Sequence, residues 1–156
     1  MSILNGTVVL DLSEVYQAPL AAQVLGDFGA SVIKIERPGE GDFARSYDDT
    51  VHGLASHFVW LNRGKESIEL DLASDDGRRV ALELADRADV VLSNLAPGAM
   101  DRLGLGAAAL RSRKDELVVV TLSGYGEAGP YSGRKAYDML VQAESGLCSI
   151  TGTPET

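Results

Sequence analysis

Thr7-Val8-Val9-Leu10 and Ser31-Val32-Ile33-Lys34-Ile35 bracket the stretch that decides how this chain folds. The first run is short, apolar and β-branched, the mark of a buried strand. After it Leu20, Val24, Leu25 and Phe28 recur at three- and four-residue spacing, which predicts one apolar face of a helix. Gly29 ends that pattern. The second run alternates into another strand and is closed by Pro38-Gly39.

The same alternation continues along the chain. A polar loop runs from residue 40 to about 53, followed by a short apolar piece, Phe58-Val59-Trp60-Leu61. Residues 67–72 alternate like a half-buried strand. Asp75-Asp76-Gly77 suits the start of a helix whose apolar face is Val80, Leu84 and Ala88, with Ala81 beside it. Val90-Val91-Leu92 and residues 117–122 read as strands, with a short helix near residues 107–113 between them. A final helix follows. Strands alternating with helices predict an α/β fold: a Rossmann-like, mostly parallel sheet with helices on both faces. Residues 1–156 read as one Rossmann-like domain, without internal repeats or low-complexity tracts.

Composition narrows the function. The 156 residues are 45% hydrophobic and 24% charged, as in ordinary globular proteins, and carry a net charge of −9. That charge argues against nucleic acid or an anionic membrane as partner. Cys148 is the single cysteine, so an intrachain disulfide is impossible and a cytoplasmic setting is expected. Met1 to Asn5 lacks the basic start and long apolar run of a signal peptide. No stretch approaches the roughly 18 apolar residues of a spanning helix. A dinucleotide site is not expected, because Asp11-Leu12-Ser13-Glu14-Val15 after the first strand holds no G-x-G-x-x-G. Asn62-Arg63-Gly64-Lys65 is not a P-loop. No metal is expected, His52 and His57 being read as solvated loop residues far in sequence from Cys148.

The chemistry-bearing stretch is Gly124-Tyr125-Gly126-Glu127-Ala128-Gly129-Pro130-Tyr131, followed by Ala136-Tyr137-Asp138 and Gln142-Ala143-Glu144-Ser145-Gly146. Asp138 is framed by Tyr137, Met139, Leu140 and Val141. A carboxylate in an apolar frame is paired, exposed or chemically employed. Glycines just upstream let backbone N–H groups approach a reacting group.

This stretch resembles the nucleophile region of the family III CoA-transferases, the group of formyl-CoA, carnitine and bile-acid CoA-transferases. So do Val9-Leu10-Asp11-Leu12-Ser13, Leu25-Gly26-Asp27-Phe28-Gly29-Ala30 and Val32-Ile33-Lys34-Ile35-Glu36-Arg37-Pro38. Further matches are Asn62-Arg63-Gly64-Lys65-Glu66-Ser67, residues 88–94, Pro97-Gly98 and Arg102-Leu103-Gly104-Leu105. They run in order from about residue 3 to residue 152. Family members are more than twice as long, so the resemblance implies an amino-terminal portion of an interlocked-dimer fold. The chain stops at Thr151-Gly152-Thr153-Pro154-Glu155-Thr156 with no closing element.

The resemblance implies coenzyme A, bound as an acyl-CoA substrate, with a carboxylic acid as acceptor and a homodimer in the complete protein. It makes Asp138 the nucleophile, forming an aspartyl mixed anhydride and then an aspartyl-CoA thioester. It places Gln17 and Ala18 beside the thioester, Gln17-Ala18-Pro19 being expected just before the first helix, and it leaves Tyr16 as a departure from common family residues. Arg37, on a stiff turn at a strand's carboxyl end, is the expected contact to the CoA nucleotide. Lys65 is an expected phosphate contact, Arg63 less so, and Asn94 and Arg102 match positions lining the CoA groove. Gly124 belongs to the loop expected to stabilise oxyanions. A 2-methylacyl-CoA racemase is the alternative within the family. It needs a second acid/base group, and its pattern pairs a histidine with the aspartate, which is missing beside Asp138. A catalytically incomplete CoA-binding fragment that needs a second polypeptide is the other. Leu147, Ile150 and Trp60 are expected to be partly uncovered.

Overall fold

In a computed structural model, residues 2–153 of the chain are described; Met1 and the tail Pro154 to Thr156 lie outside them. The described chain separates into two compact units, one ending at Leu122 and one beginning at Ser123.

The first unit is an all-parallel five-stranded sheet. Its strands are β1 (Val8–Leu12), β2 (Ser31–Glu36), β3 (Glu66–Glu69), β4 (Val90–Ser93) and β5 (Val118–Thr121), in the order β3-β2-β1-β4-β5. Helix α1 (Gln17–Asp27) joins β1 to β2, and α2 (Ser56–Asn62) precedes β3. α3 (Asp75–Arg87) joins β3 to β4, and α4 (Ala99–Arg102) and α5 (Ala107–Arg113) lie between β4 and β5. α1 packs with α2, and α3 with α5, so the sheet is covered on both faces. Chain direction across the sheet reverses at β1, with β2 on one side and β4 on the other. In open parallel sheets that reversal opens a crevice beyond the carboxyl ends of the strands.

Strand alternation sorts the core. Leu10, Leu12, Ile35 and Val91 face α3 and α5, where they meet Ala81, Ala85, Ala88, Leu105, Leu110 and Leu117 in one apolar cluster. The opposite face holds a much smaller cluster of Val9, Val32 and Ala22. α3 starts as the sequence implies: Asp75 and Asp76 occupy its first turn, and the Ser74 hydroxyl caps it by accepting the Gly77 N–H.

Three local expectations change. Gln17-Ala18-Pro19 is the first turn of α1, not the segment before it; proline is tolerated there because its missing N–H would have no intrahelical partner. The buried face of α1 is Ala18, Pro19, Ala22 and Gln23, whereas Val24 and Phe28 are exposed. Small residues let this helix approach the sheet closely. The apolar piece at residues 58–61 is part of α2, which carries His57 out of the loop.

The second unit contains α6 (Asp138–Glu144) and α7 (Leu147–Ile150). Leu147 and Ile150 are open to solvent, as is Trp60 of α2 in the first unit.

Candidate active site

The face of the sheet beneath α1 changes character along the strands. At their amino ends Val9, Val32 and Val90 stand side by side. Toward the carboxyl ends the register places Asp11 beside Lys34, Lys34 beside Ser67, and Glu36 beside Glu69. Asp11, Lys34 and Glu36 are all buried. Left unpaired, each such charge would cost about 3–5 kcal/mol, and each is matched.

Lys34 Nζ meets Asp42 Oδ2 at 2.9 Å and donates to the Ser13 carbonyl at 2.5 Å. Lys65 Nζ donates to Asp11 Oδ2, Asn62 Oδ1 and the Pro19 carbonyl, each at 2.9 Å. Burial pushes the Lys65 ammonium down from its ordinary value, an effect Asp11 opposes. Burial alone would raise the Glu36 carboxyl; hydrogen bonds from Arg45, the Ser67 hydroxyl and the Asp42 N–H outweigh it and bring it to about 2. Arg45 also lies over the Phe58 ring, 3.8 Å from its centroid.

These groups surround the loop from β1 to α1. Its Val15 has φ 75°, a left-handed backbone that costs a β-branched residue on the order of 1–3 kcal/mol. The loop is held from several sides. Asp42 Oδ1 accepts the Val15 N–H at 3.0 Å, and His57 Nε2 donates to the Val15 carbonyl at 3.1 Å. Asn94 brackets Glu14, accepting its N–H at 2.9 Å and donating to its carbonyl at 2.8 Å. That bracket spans β1 and β4, at the reversal of chain direction. Beyond the loop, Tyr16 gives α1 no side-chain cap. Among the described residues the Gln17 and Ala18 N–H groups have no acceptor. An uncapped helix start with two free donors suits a carbonyl or carboxylate oxygen.

The structure therefore brings Gln17, Ala18, Arg37, Lys65 and Asn94 around the α1 side of one sheet edge, in distinct situations. Arg37 is half-exposed and pairs with Glu14 at 2.7 Å. Arg102 is exposed and, among the described residues, donates only to the Pro97 carbonyl, at 3.5 Å. Lys65 is buried, and its three protons are all engaged by protein acceptors. Asn94 has both ends of its amide on Glu14. Arg63 pairs with Asp27.

His57 is not a solvated loop residue. It is half-buried on α2, with its ring 5.4 Å from Tyr16 and 5.5 Å from Tyr47. Lys34, Asp42 and His57 are the site residues that sequence reasoning missed. The available signal was a lysine and an aspartate inside otherwise apolar strands, at Lys34 and Asp11.

In the second unit Asp138 is the first residue of α6, exposed, at a helix start that favours negative charge. Its carboxylate accepts from the Gln142 side chain. The glycine-rich loop is tied to the same helix: Tyr125 Oη donates to Glu144 at 2.6 Å, and Arg134 reaches Glu144 at 3.1 Å. Gly124 is required by close approach, since a Cβ there would lie 1.9 Å from Ala136 Cβ. Among the described residues no helix is long and apolar enough to cross a membrane.

Comparison with known proteins identifies the family. The family model described as CoA-transferase family III matches residues 4–156. The chain is 42% identical over 151 residues to an acetyl-CoA:oxalate CoA-transferase of Acetobacter aceti, covering 97% of this chain and 39% of the relative. It is 44% identical over 155 residues to the probable fatty acyl-CoA transferase Rv3272 of Mycobacterium tuberculosis, covering 97% and 39%. The crystal structure of a CAIB/BAIF family protein from Brucella suis superposes with a TM-score of 0.91 at 35% identity, over 99% of this chain and 42% of the other. The chain thus spans about two fifths of the length of the curated relatives it matches.

Proposed function

This chain belongs to CoA-transferase family III, and we propose that it forms the CoA-handling part of an enzyme that moves CoA from an acyl-CoA to a carboxylic acid. The observation that carries the reading is the uncapped first turn of α1, held under a strained Val15 at the carboxyl edge of the sheet. A thioester carbonyl becomes an oxyanion when a nucleophile adds to it, and the Gln17 and Ala18 amides are the donors such an oxyanion needs.

A CoA nucleotide carries phosphates, so on a chain of net charge −9 it requires reachable cations. Arg102 fits that need, being exposed and weakly engaged, and so does Arg37, half-exposed although it pairs with Glu14 and lies over the Phe43 ring. Lys65 and Asn94 fit it less well and support the loop from beneath.

In the reaction we infer, an Asp138 oxygen attacks the thioester carbon, the C–S bond breaks and CoA leaves as thiolate. The thiolate then attacks the aspartyl carbonyl of the mixed anhydride, releasing the first acid and leaving an aspartyl-CoA thioester. The acceptor carboxylate attacks that thioester, and the released thiolate attacks the acceptor's carbonyl, which frees the new acyl-CoA and restores Asp138. Amides of the loop 124–129 are the further oxyanion donors in this scheme. Racemisation through a histidine–aspartate pair is disfavoured, since the residue before Asp138 is Tyr137 and residues 122–129 hold no histidine. The reading includes a homodimer in the cytoplasm.

The test is acyl transfer by the full-length protein carrying Asp138→Ala, with trapping of the acyl adduct by hydroxylamine and mass spectrometry. Loss of transfer and of the adduct on the peptide around residue 138, with CoA binding retained, is the expected result. Undiminished transfer would overturn the assignment.

A further inference from the structure

Valine avoids the left-handed region, so the φ of 75° at Val15 must be imposed from outside. One buried pair grips the loop on both sides of Glu14. Lys34 Nζ holds the Ser13 carbonyl, and Asp42 Oδ1 holds the Val15 N–H while also capping the Ala44 N–H at 2.9 Å. The two side chains meet at 2.9 Å and are 1% and 0% exposed.

We propose that Lys34 and Asp42 are positioning residues, an ion pair that clamps Val15 in its left-handed conformation and thereby aims the free amides of Gln17 and Ala18. The clamp itself rests on the geometry; the purpose of aiming those amides at a thioester rests on the CoA-transfer reading.

Two arguments favour this over a merely structural pair. Well-packed apolar residues of similar volume would stabilise the fold as well as a buried ion pair, or better. Backbone strain persists only where surroundings over-determine it, and it collects where geometry serves a reaction. Both carboxylate oxygens are engaged: Oδ1 accepts the Val15 and Ala44 N–H groups, and Oδ2, which the Val15 N–H also reaches at 3.3 Å, pairs with the ammonium. An asparagine can present oxygen to only one of those sides. Its NH2 would then face either the Lys34 ammonium or the Val15 and Ala44 N–H groups, donor against donor.

The test is hydrogen exchange by mass spectrometry on the full-length protein, with transfer kinetics on the same samples. Asp42→Asn is expected to speed exchange of the peptide covering residues 13–20 by about tenfold while β1 and β4 stay protected. kcat should fall about tenfold with the KM for acyl-CoA nearly unchanged, the signature of a donor felt only in the transition state. Adding Val15→Gly should return both toward wild type, because glycine adopts this φ without a clamp. If Asp42→Asn does not fold, the paired replacement Lys34→Met with Asp42→Leu removes charge and clamp together and is read by the same exchange.

Unchanged exchange at residues 13–20 in either variant overturns the clamp. So does faster exchange that Val15→Gly fails to slow. Faster exchange with an unaltered kcat overturns the positioning role. A wild-type protein that exchanges as expected but transfers no CoA refutes the CoA-transfer reading and leaves the clamp standing.

Discussion

Lys65→Met separates two roles that a basic residue in a CoA-transferase could have. Lys65 is 3% exposed at its side chain and its partner Asp11 is at 0%, so methionine in its place strands a buried carboxylate. Breaking a buried pair by removing one partner costs about 3–5 kcal/mol. Asp11 keeps the Ser13 N–H and hydroxyl as donors, which points to the lower end, about 3 kcal/mol. For a domain of this size each kcal/mol moves the midpoint by about 2–4 °C, so Tm should fall by roughly 6–12 °C. Adding Asp11→Leu should recover much of that loss, because it removes the stranded charge. The assay is thermal unfolding of the full-length protein alongside calorimetric titration with CoA at a temperature where every variant is folded. Affinity within about threefold of wild type, or 0.7 kcal/mol, is expected, since the Lys65 ammonium is already saturated by protein acceptors. A Tm shift of less than about 2 °C together with a tenfold loss of CoA affinity would refute the reasoning and make Lys65 a phosphate ligand.

Glu14→Gln should tighten CoA binding by about threefold at low salt, because it frees Arg37 from its carboxylate; weaker binding would mean that Arg37 does not meet the nucleotide. Glu36, whose folded carboxyl lies near 2 against an ordinary 4.5, stabilises the fold above about pH 4.5, and that contribution disappears as pH falls toward 2. Urea midpoints measured across that window should therefore decline more steeply for wild type than for Glu36→Gln. Parallel slopes would sink the assignment.

What the sequence disclosed follows from how local each signal is. β1, β2, β4, α3 and α5 were legible because their burial repeats within a few residues, and the observed elements lie within a residue or two of the expected ones. α1 was harder. Pro19 reads as a helix breaker although it sits where a helix has no bond to lose, and the large apolar residues Val24 and Phe28 mark the face that ends up outside. α2 is seven residues long and was visible only as an apolar patch. Of the candidate site, the roles proposed for Asp138 and Arg37 come from the family motifs alone. Asp42 was not legible, because it lies in a polar loop and acquires its meaning from Val15, 27 residues away.

The buried charges nevertheless follow a rule that the strands themselves carry. On the α1 face the order along β1 is valine then aspartate, and along β2 valine, lysine, glutamate; the parallel register aligns those sequences row by row. Apolar residues at the amino ends anchor α1 through Ala22, while the carboxyl ends hold a matched set of charges with little freedom to rearrange. A loop built above an apolar strand end would relax into unstrained backbone. Built above charges that must each find a partner, it is drawn into the one conformation that supplies them, and Val15 is carried past its own preference. A helix start whose Gln17 and Ala18 amides lack a protein acceptor then stands on a floor that resists movement, which is what oxyanion stabilisation requires of its donors.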